Sequence, residues 1–176
     1  MIGVVDACFL IDWCRFRRRE LIRSLFDRLF IDEEVLGQFR GEAVLELVAK
    51  WMGEGFLALI AWSMLDEEEL GRLRGFIEAN SRIPVLERPD LKSLVSAKRM
   101  GAVLLSENVG VLRVCQYVGE YLQVRVFTAL DVLALAVERG VGFKLKQLIA
   151  EYEEDTKHRF SEKRVVEALR RVGEFG

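Results

Sequence analysis

The sequence predicts a single α/β domain, a three-layer sandwich with a parallel β-sheet between two layers of helix. Three observations predict it. Short β-branched apolar runs alternate with longer amphipathic stretches, the pattern of βαβ units. The length of 176 residues suits one domain, and 51% hydrophobic residues supply a sizeable core. With only 2 Pro, and no repeat or low-complexity tract, nothing divides the chain into separate units.

In chain order, Ile2–Val5 is a buried strand ending at Asp6. Phe16, Leu21, Ile22, Leu25, Phe26 and Leu29 recur at helical spacing and predict a helix over residues 15–29, with a short strand at Leu29–Ile31. Asp32, Glu33 and Glu34 put negative charge on the first turn of the next helix. That helix carries Val35, Leu36, Phe39, Val44, Leu47 and Val48 until Gly53 and Gly55 stop it. Phe56–Trp62 is a third strand. Asp66 caps a helix with Glu67, Glu68 and Glu69 in its first turn. Pro89-Asp90 opens another that runs to Gly101. A fourth strand (Ala102–Leu105), a helix (Val109–Val118) and a fifth strand (Val124–Phe127) follow. Helices over Asp131–Arg139, Lys144–Glu154 and Ser161–Val172 complete the chain. The α/β domain is expected over residues 1–140, with residues 141–176 as a C-terminal helical extension packed on it.

Composition excludes several classes of protein. Lys plus Arg is 26 against 28 Asp plus Glu, so the chain does not coat polyanions by net charge. One His and three Cys without CxxC spacing leave a zinc site almost no ligands. Cys8, Cys14 and Cys115 read as core thiols of a reducing compartment. No glycine-rich phosphate loop follows the first strand, and GxSxG is absent, so nucleotide binding and serine hydrolysis lack their motifs. A phospho-receiver domain would need an Asp ending the third strand, where Ser63-Met64 stand. The longest apolar run is far too short to span a membrane, and the start of the chain shows no secretion signal. The expectation is a cytoplasmic protein with no membrane partner.

In open parallel sheets, ligands bind beyond the carboxyl ends of the strands. Asp6 ends the first strand and Ser106-Glu107-Asn108 follow the fourth. Each of these side chains, like Asp90 after Pro89, also suits a turn or a helix cap. Carboxylates gathered there are ligands for Mg²⁺ or Mn²⁺, hard cations that prefer oxygen.

Val4-Val5-Asp6-Ala7-Cys8-Phe9-Leu10-Ile11 resembles the opening of PIN-domain proteins, a strand ending on Asp before a small residue and an apolar pair. Asp90 through Asn108 is similar to that family's segment of Asp, a helix with Ala97, the Gly101 turn and a strand ending in Thr-x-Asp. Val111-Leu112-Arg113-Val114-Cys115 and Thr128-Ala129-Leu130-Asp131 resemble the segments that come next. The resemblance covers roughly residues 1–140. It implies a parallel sheet of about five strands and a metal-dependent ribonuclease acting on single-stranded RNA, often the toxin of a toxin–antitoxin pair. The implied cofactor is Mg or Mn, and the implied partners are RNA and an antitoxin or other protein.

Carried onto this sequence, the first family acid is Asp6 and the third is Asp90. The second falls on Gln38 and the fourth on Asn108, so each keeps an oxygen but loses a charge. Glu42, expected one turn beyond Gln38 on the same helix face, and Glu107, beside Asn108, are the candidate substitutes. The catalytic set is then Asp6, Asp90 and Glu107, and the metal set adds Asn108, Gln38 and Glu42. The alternative is a catalytically degenerate PIN-like module that binds RNA or a protein partner.

Arg15, Arg17 and Arg18 head the densest basic cluster. They read as the polar face of a helix, or as RNA-phosphate contacts at the rim of the acidic site. Trp13, Phe16, Trp51 and Trp62 sit at apolar spacing and read as core rather than as base-stacking platforms. A mean hydropathy of +0.15 and the stripe Val165, Val166, Leu169, Val172 predict a homodimer formed through helices.

Overall fold

The computed structural model describes residues 1–175; Gly176, the end of the expected C-terminal extension, lies outside the described residues. Strand β1 (Ile2–Val5) runs straight into helix α1 (Ala7–Arg15). The helix starts here because the Asp6 side chain accepts the Phe9 N–H at 2.8 Å, closing the first turn. This corrects the helix expected over residues 15–29. After Arg15 the chain turns, makes a 3₁₀ segment at Arg19–Ser24 and enters β2 (Arg28–Ile31). The Trp13 indole N–H donates to the Arg19 carbonyl at 2.8 Å. Phe16, Ile22, Leu25 and Phe26 are core residues of that folded-back segment, so their spacing mimics a helix face.

The single helix expected after β2 is two. Helix α2 (Glu33–Leu36) is one turn long, capped by Asp32, and α3 (Glu42–Gly53) starts afresh at Gly41. Between them the chain turns so that Phe39 points into the core at 3% exposure, and local propensity yields to that burial. Strand β3 is shorter than predicted (Leu57–Leu59). Helix α4 (Met64–Glu78) is capped by Ser63, and Asp66 closes the capping box from inside the first turn, where the sequence had suggested the cap itself. Helix α5 (Arg88–Met100) carries Pro89 at its start and ends on Gly101 in the left-handed region at φ 59°. Next come β4 (Val103–Leu105), α6 (Val109–Tyr117), β5 (Val126–Phe127), α7 (Ala129–Glu138), α8 (Leu145–Thr156) and α9 (Glu162–Arg171).

The five strands are all parallel, in the order β3-β2-β1-β4-β5. Side chains of successive strand residues point to opposite faces, and the two cores follow that alternation. Val5, Val103, Leu105, Leu29 and Ile31 face one core with α1, α3, α7, α8 and α9. Val4 and Leu104 face the other with α4, α5 and α6. The last two helices belong to the first core through Leu145, Leu148, Tyr152 and Leu169. Val165 and Val172 also pack against that core, and α9 lies on α7. Most of the apolar stripe that suggested a dimer therefore faces this same chain. Among the described residues no helix is long and apolar enough to cross a membrane.

Candidate functional site

Because β1 lies between β2 and β4, the order in which successive strands are added reverses between β1 and β4, and a crevice opens at their carboxyl ends. Asp6 and Asp90 both line it, with Cys8, Gln38, Glu87 and Asn108. Two of the predicted acids, 84 positions apart in the chain, thus share one site. Asp6 is pinned from both sides: its backbone N–H donates to the Leu105 carbonyl at 3.1 Å, and its carboxylate caps α1. Burial raises the Asp6 carboxyl to about 6, and the neighbouring Asp90 and Glu107 charges add to the rise. Hydrogen bonds from the Ser106 hydroxyl and the Phe9 N–H work against it. Asp90 is also shifted upward, by burial and the Glu87 charge, while the Asn108 side chain pulls it down.

Asn108 decides the character of the crevice. Its side-chain oxygen caps α6 by accepting the Gly110 N–H at 2.8 Å, and its amide nitrogen donates to Asp90 at 3.1 Å. The cap fixes the amide orientation, so position 108 turns an N–H group toward Asp90 and its oxygen toward the start of α6. The helix it starts lies tight against the crevice lip. A Cβ on Gly110 would fall 2.5 Å from the Leu86 side chain, so no other residue fits without displacing it.

The remaining predicted residues disperse. Glu107 does not line the crevice; its carboxylate accepts the Ala129 N–H at the start of α7 at 2.6 Å. Burial pushes it up to about 7, with Asp131 and Asp12 adding and Arg164 opposing. Gln38 reaches the crevice from the turn after α2. Glu42 is exposed on the first turn of α3, so the two do not share a helix face. Arg15 pairs with Asp12 at 3.4 Å, Arg17 with Asp155 at 2.6 Å and Arg18 with Glu151. Arg17 and Arg18 therefore tie the turn after α1 to α8. Trp13 and Trp51 are fully buried. Cys8, expected in the core, is exposed on the crevice wall. Glu87 was not singled out from the sequence; its place just before Arg88-Pro89, at the head of α5, was the available signal.

The donor set is poor for a catalytic divalent cation. Among the described residues no three His, Cys, Asp or Glu side chains converge on a point that could hold a metal ion. One Asp6 oxygen is engaged by a backbone N–H and one Asp90 oxygen by the Asn108 amide. Mg²⁺ is held by one or two carboxylates with waters completing its octahedron, and here part of that carboxylate capacity is already taken by N–H donors.

No family model matches the sequence, and no curated protein does. Among solved structures, the fold is similar to that of a chain in VapBC2 from Rickettsia felis, crystallised bound to a DNA fragment from its promoter, with a TM-score of 0.52 and 13% identity over 73% of this chain and 98% of that one. At that identity the likeness concerns the fold alone, which is an α/β sandwich around a five-stranded parallel sheet, consistent with a PIN-like fold.

Proposed function

We propose that this chain is a catalytically degenerate PIN-like module that binds single-stranded RNA without cutting it. The observation that carries the reading is the Asn108 amide, which gives Asp90 a hydrogen-bond donor at 3.1 Å where the family resemblance places a fourth acid. Two crevice carboxylates with raised pKa hold a divalent ion poorly, because each proton retained is a charge withheld from the metal. Support for the PIN-like part comes from the order of motifs along the sequence, from Asp6 and Asp90 meeting at the switch point, and from the fold it shares with a protein crystallised on DNA.

The test uses Mn²⁺ titration calorimetry and a labelled single-stranded RNA. The native protein is expected to bind Mn²⁺ with Kd weaker than about 1 mM and to leave the RNA intact. Gln38→Glu with Asn108→Asp restores both charges. Asp at 108 still caps α6 but faces Asp90 as a second anion, a repulsion that a bound cation or a retained proton relieves. Mn²⁺ affinity should then rise by about tenfold or more, and adding Asp6→Asn should remove the gain. Mn²⁺-dependent cleavage by the native protein, lost in Asp6→Asn, overturns the proposal in favour of an active metal-dependent ribonuclease.

A further inference from the structure

The arginines the sequence singled out are engaged by carboxylates, but a different set is not. Arg74 on α4, Arg82 in the loop after it and Arg113 on α6 are exposed and make no ion pair among the described residues, whereas Arg72 on α4 and Arg88 and Arg99 on α5 are each paired. Two of the three are held in position. The Arg113 guanidinium donates to the Arg82 carbonyl at 2.7 Å, and the Arg82 guanidinium lies 5.5 Å from the centre of the Tyr117 ring. Tyr117 and Phe76 are 45% and 47% exposed, and they line one hollow between α4 and α6.

Step by step, that hollow is linked to the crevice by shared lining residues. It shares Asn80 with a second hollow that holds Arg74. The second hollow in turn shares Val85, 94% exposed, with the crevice of Asp6 and Asp90. The carboxylates along this path are Glu78, beside Arg74, and Glu120, which Lys98 engages at 2.7 Å. The path is therefore net positive away from the crevice, and it displays aromatic rings beside its cations.

From this we infer that the face from Val85 to Tyr117 is a track for single-stranded RNA, with Arg74, Arg82 and Arg113 on the phosphates and Phe76 and Tyr117 stacking on bases. The inference rests on the RNA-binding reading of the chain and names the surface that does the binding. Unpaired cations interleaved with half-exposed aromatics complement a flexible polyanion whose bases are free to stack. A duplex keeps its bases in the helical stack and leaves those rings without a partner.

Fluorescence anisotropy of a labelled 12-nucleotide RNA in EDTA, at several salt concentrations, tests it. Arg82→Ala with Arg113→Ala should weaken binding about tenfold and flatten the slope of log affinity against log salt by about 1.4, two phosphate contacts at 0.7 each. Tyr117→Ala should weaken it about fivefold or more with the slope unchanged. Arg125→Ala, beside the opposite end of the sheet, serves as the control and should leave affinity unchanged, and circular dichroism confirms that every variant folds. Absence of RNA binding, binding insensitive to the track variants, or equal loss in Arg125→Ala overturns the track. So does equal or tighter binding of a duplex, or a self-association that Tyr117→Ala abolishes. Metal-dependent cleavage by the native protein would remove the degenerate reading and leave the track standing, so the two failures are distinguishable.

Discussion

Lys92→Met is expected to destabilise the protein by about 3–5 kcal/mol, the usual cost of removing one partner from a buried ion pair. The Lys92 ammonium lies 2.9 Å from Asp32, and the two side chains are only 6% and 1% exposed. Asp32 ends β2 and caps α2 by accepting the Glu34 N–H at 2.8 Å. Lys92 stands on α5 two residues beyond Asp90, and it also meets Glu34 at 3.2 Å and the Trp62 ring at 4.5 Å. Met fills the same volume but leaves the Asp32 carboxylate without its cation in a site closed to water. Urea unfolding should show the loss as a lower midpoint, and the melting temperature should fall by about 10 °C. Asp32→Asn in the Lys92→Met background keeps the cap and removes the stranded charge, so most of the stability should return. A loss below about 1 kcal/mol would place the pair among weak surface contacts and refute the argument.

Asp6→Asn is expected to stabilise the protein at pH 8 and to have little effect at pH 4. Burial raises the Asp6 carboxyl from its ordinary 3.8 to about 6. Between those values the folded state binds a proton that the unfolded state has released. Stability is therefore full below the ordinary carboxylate range, falls as pH rises through about 6, and stays reduced above it. Asn caps α1 equally well and cannot ionise, so it removes the penalty, on the order of 2 kcal/mol. At this chain length that corresponds to a rise in melting temperature of about 4–8 °C. Glu107, raised to about 7, extends the window upward, so some pH dependence should survive in the variant. Equal melting temperatures for the two proteins at pH 8 would show that Asp6 bears no such strain. Residues held at a cost to stability are characteristic of sites kept for binding or catalysis.

How much of the site could be read from the sequence follows from how local each signal is. Asp6 was legible because it ends an apolar run, and a strand end is where an open parallel sheet places ligands. Asp90 was legible because Pro89 marks the head of its helix, which leads into β4. Gln38 and Asn108 were legible as losses of charge by position in the motif. The partners of these side chains were not legible. Glu107 and Asn108 are adjacent in sequence, yet one faces the start of α7 and the other Asp90, since successive residues after a strand point to opposite sides. The arginines after α1 looked free because their counter-charges on α8 lie more than 130 positions away. Arg82 drew no notice, and Arg113 and Tyr117 entered only through a segment resembling the family's, because nothing in their spacing announces that they meet at one hollow.

By itself, then, the sequence determined the α/β class, the five strands and the places of Asp6 and Asp90. Alternation of apolar and polar residues is a local code that burial enforces residue by residue. Only the tertiary structure decided that the stretch after Arg15 folds back instead of forming a helix, that α2 and α3 are separate, and which charges remain unpaired. Those outcomes depend on what each side chain meets across the sheet. An ion pair or a buried ring stabilises a conformation only after distant segments have come together, and such energies outweigh the few tenths of a kcal/mol per residue, roughly, that local propensity contributes.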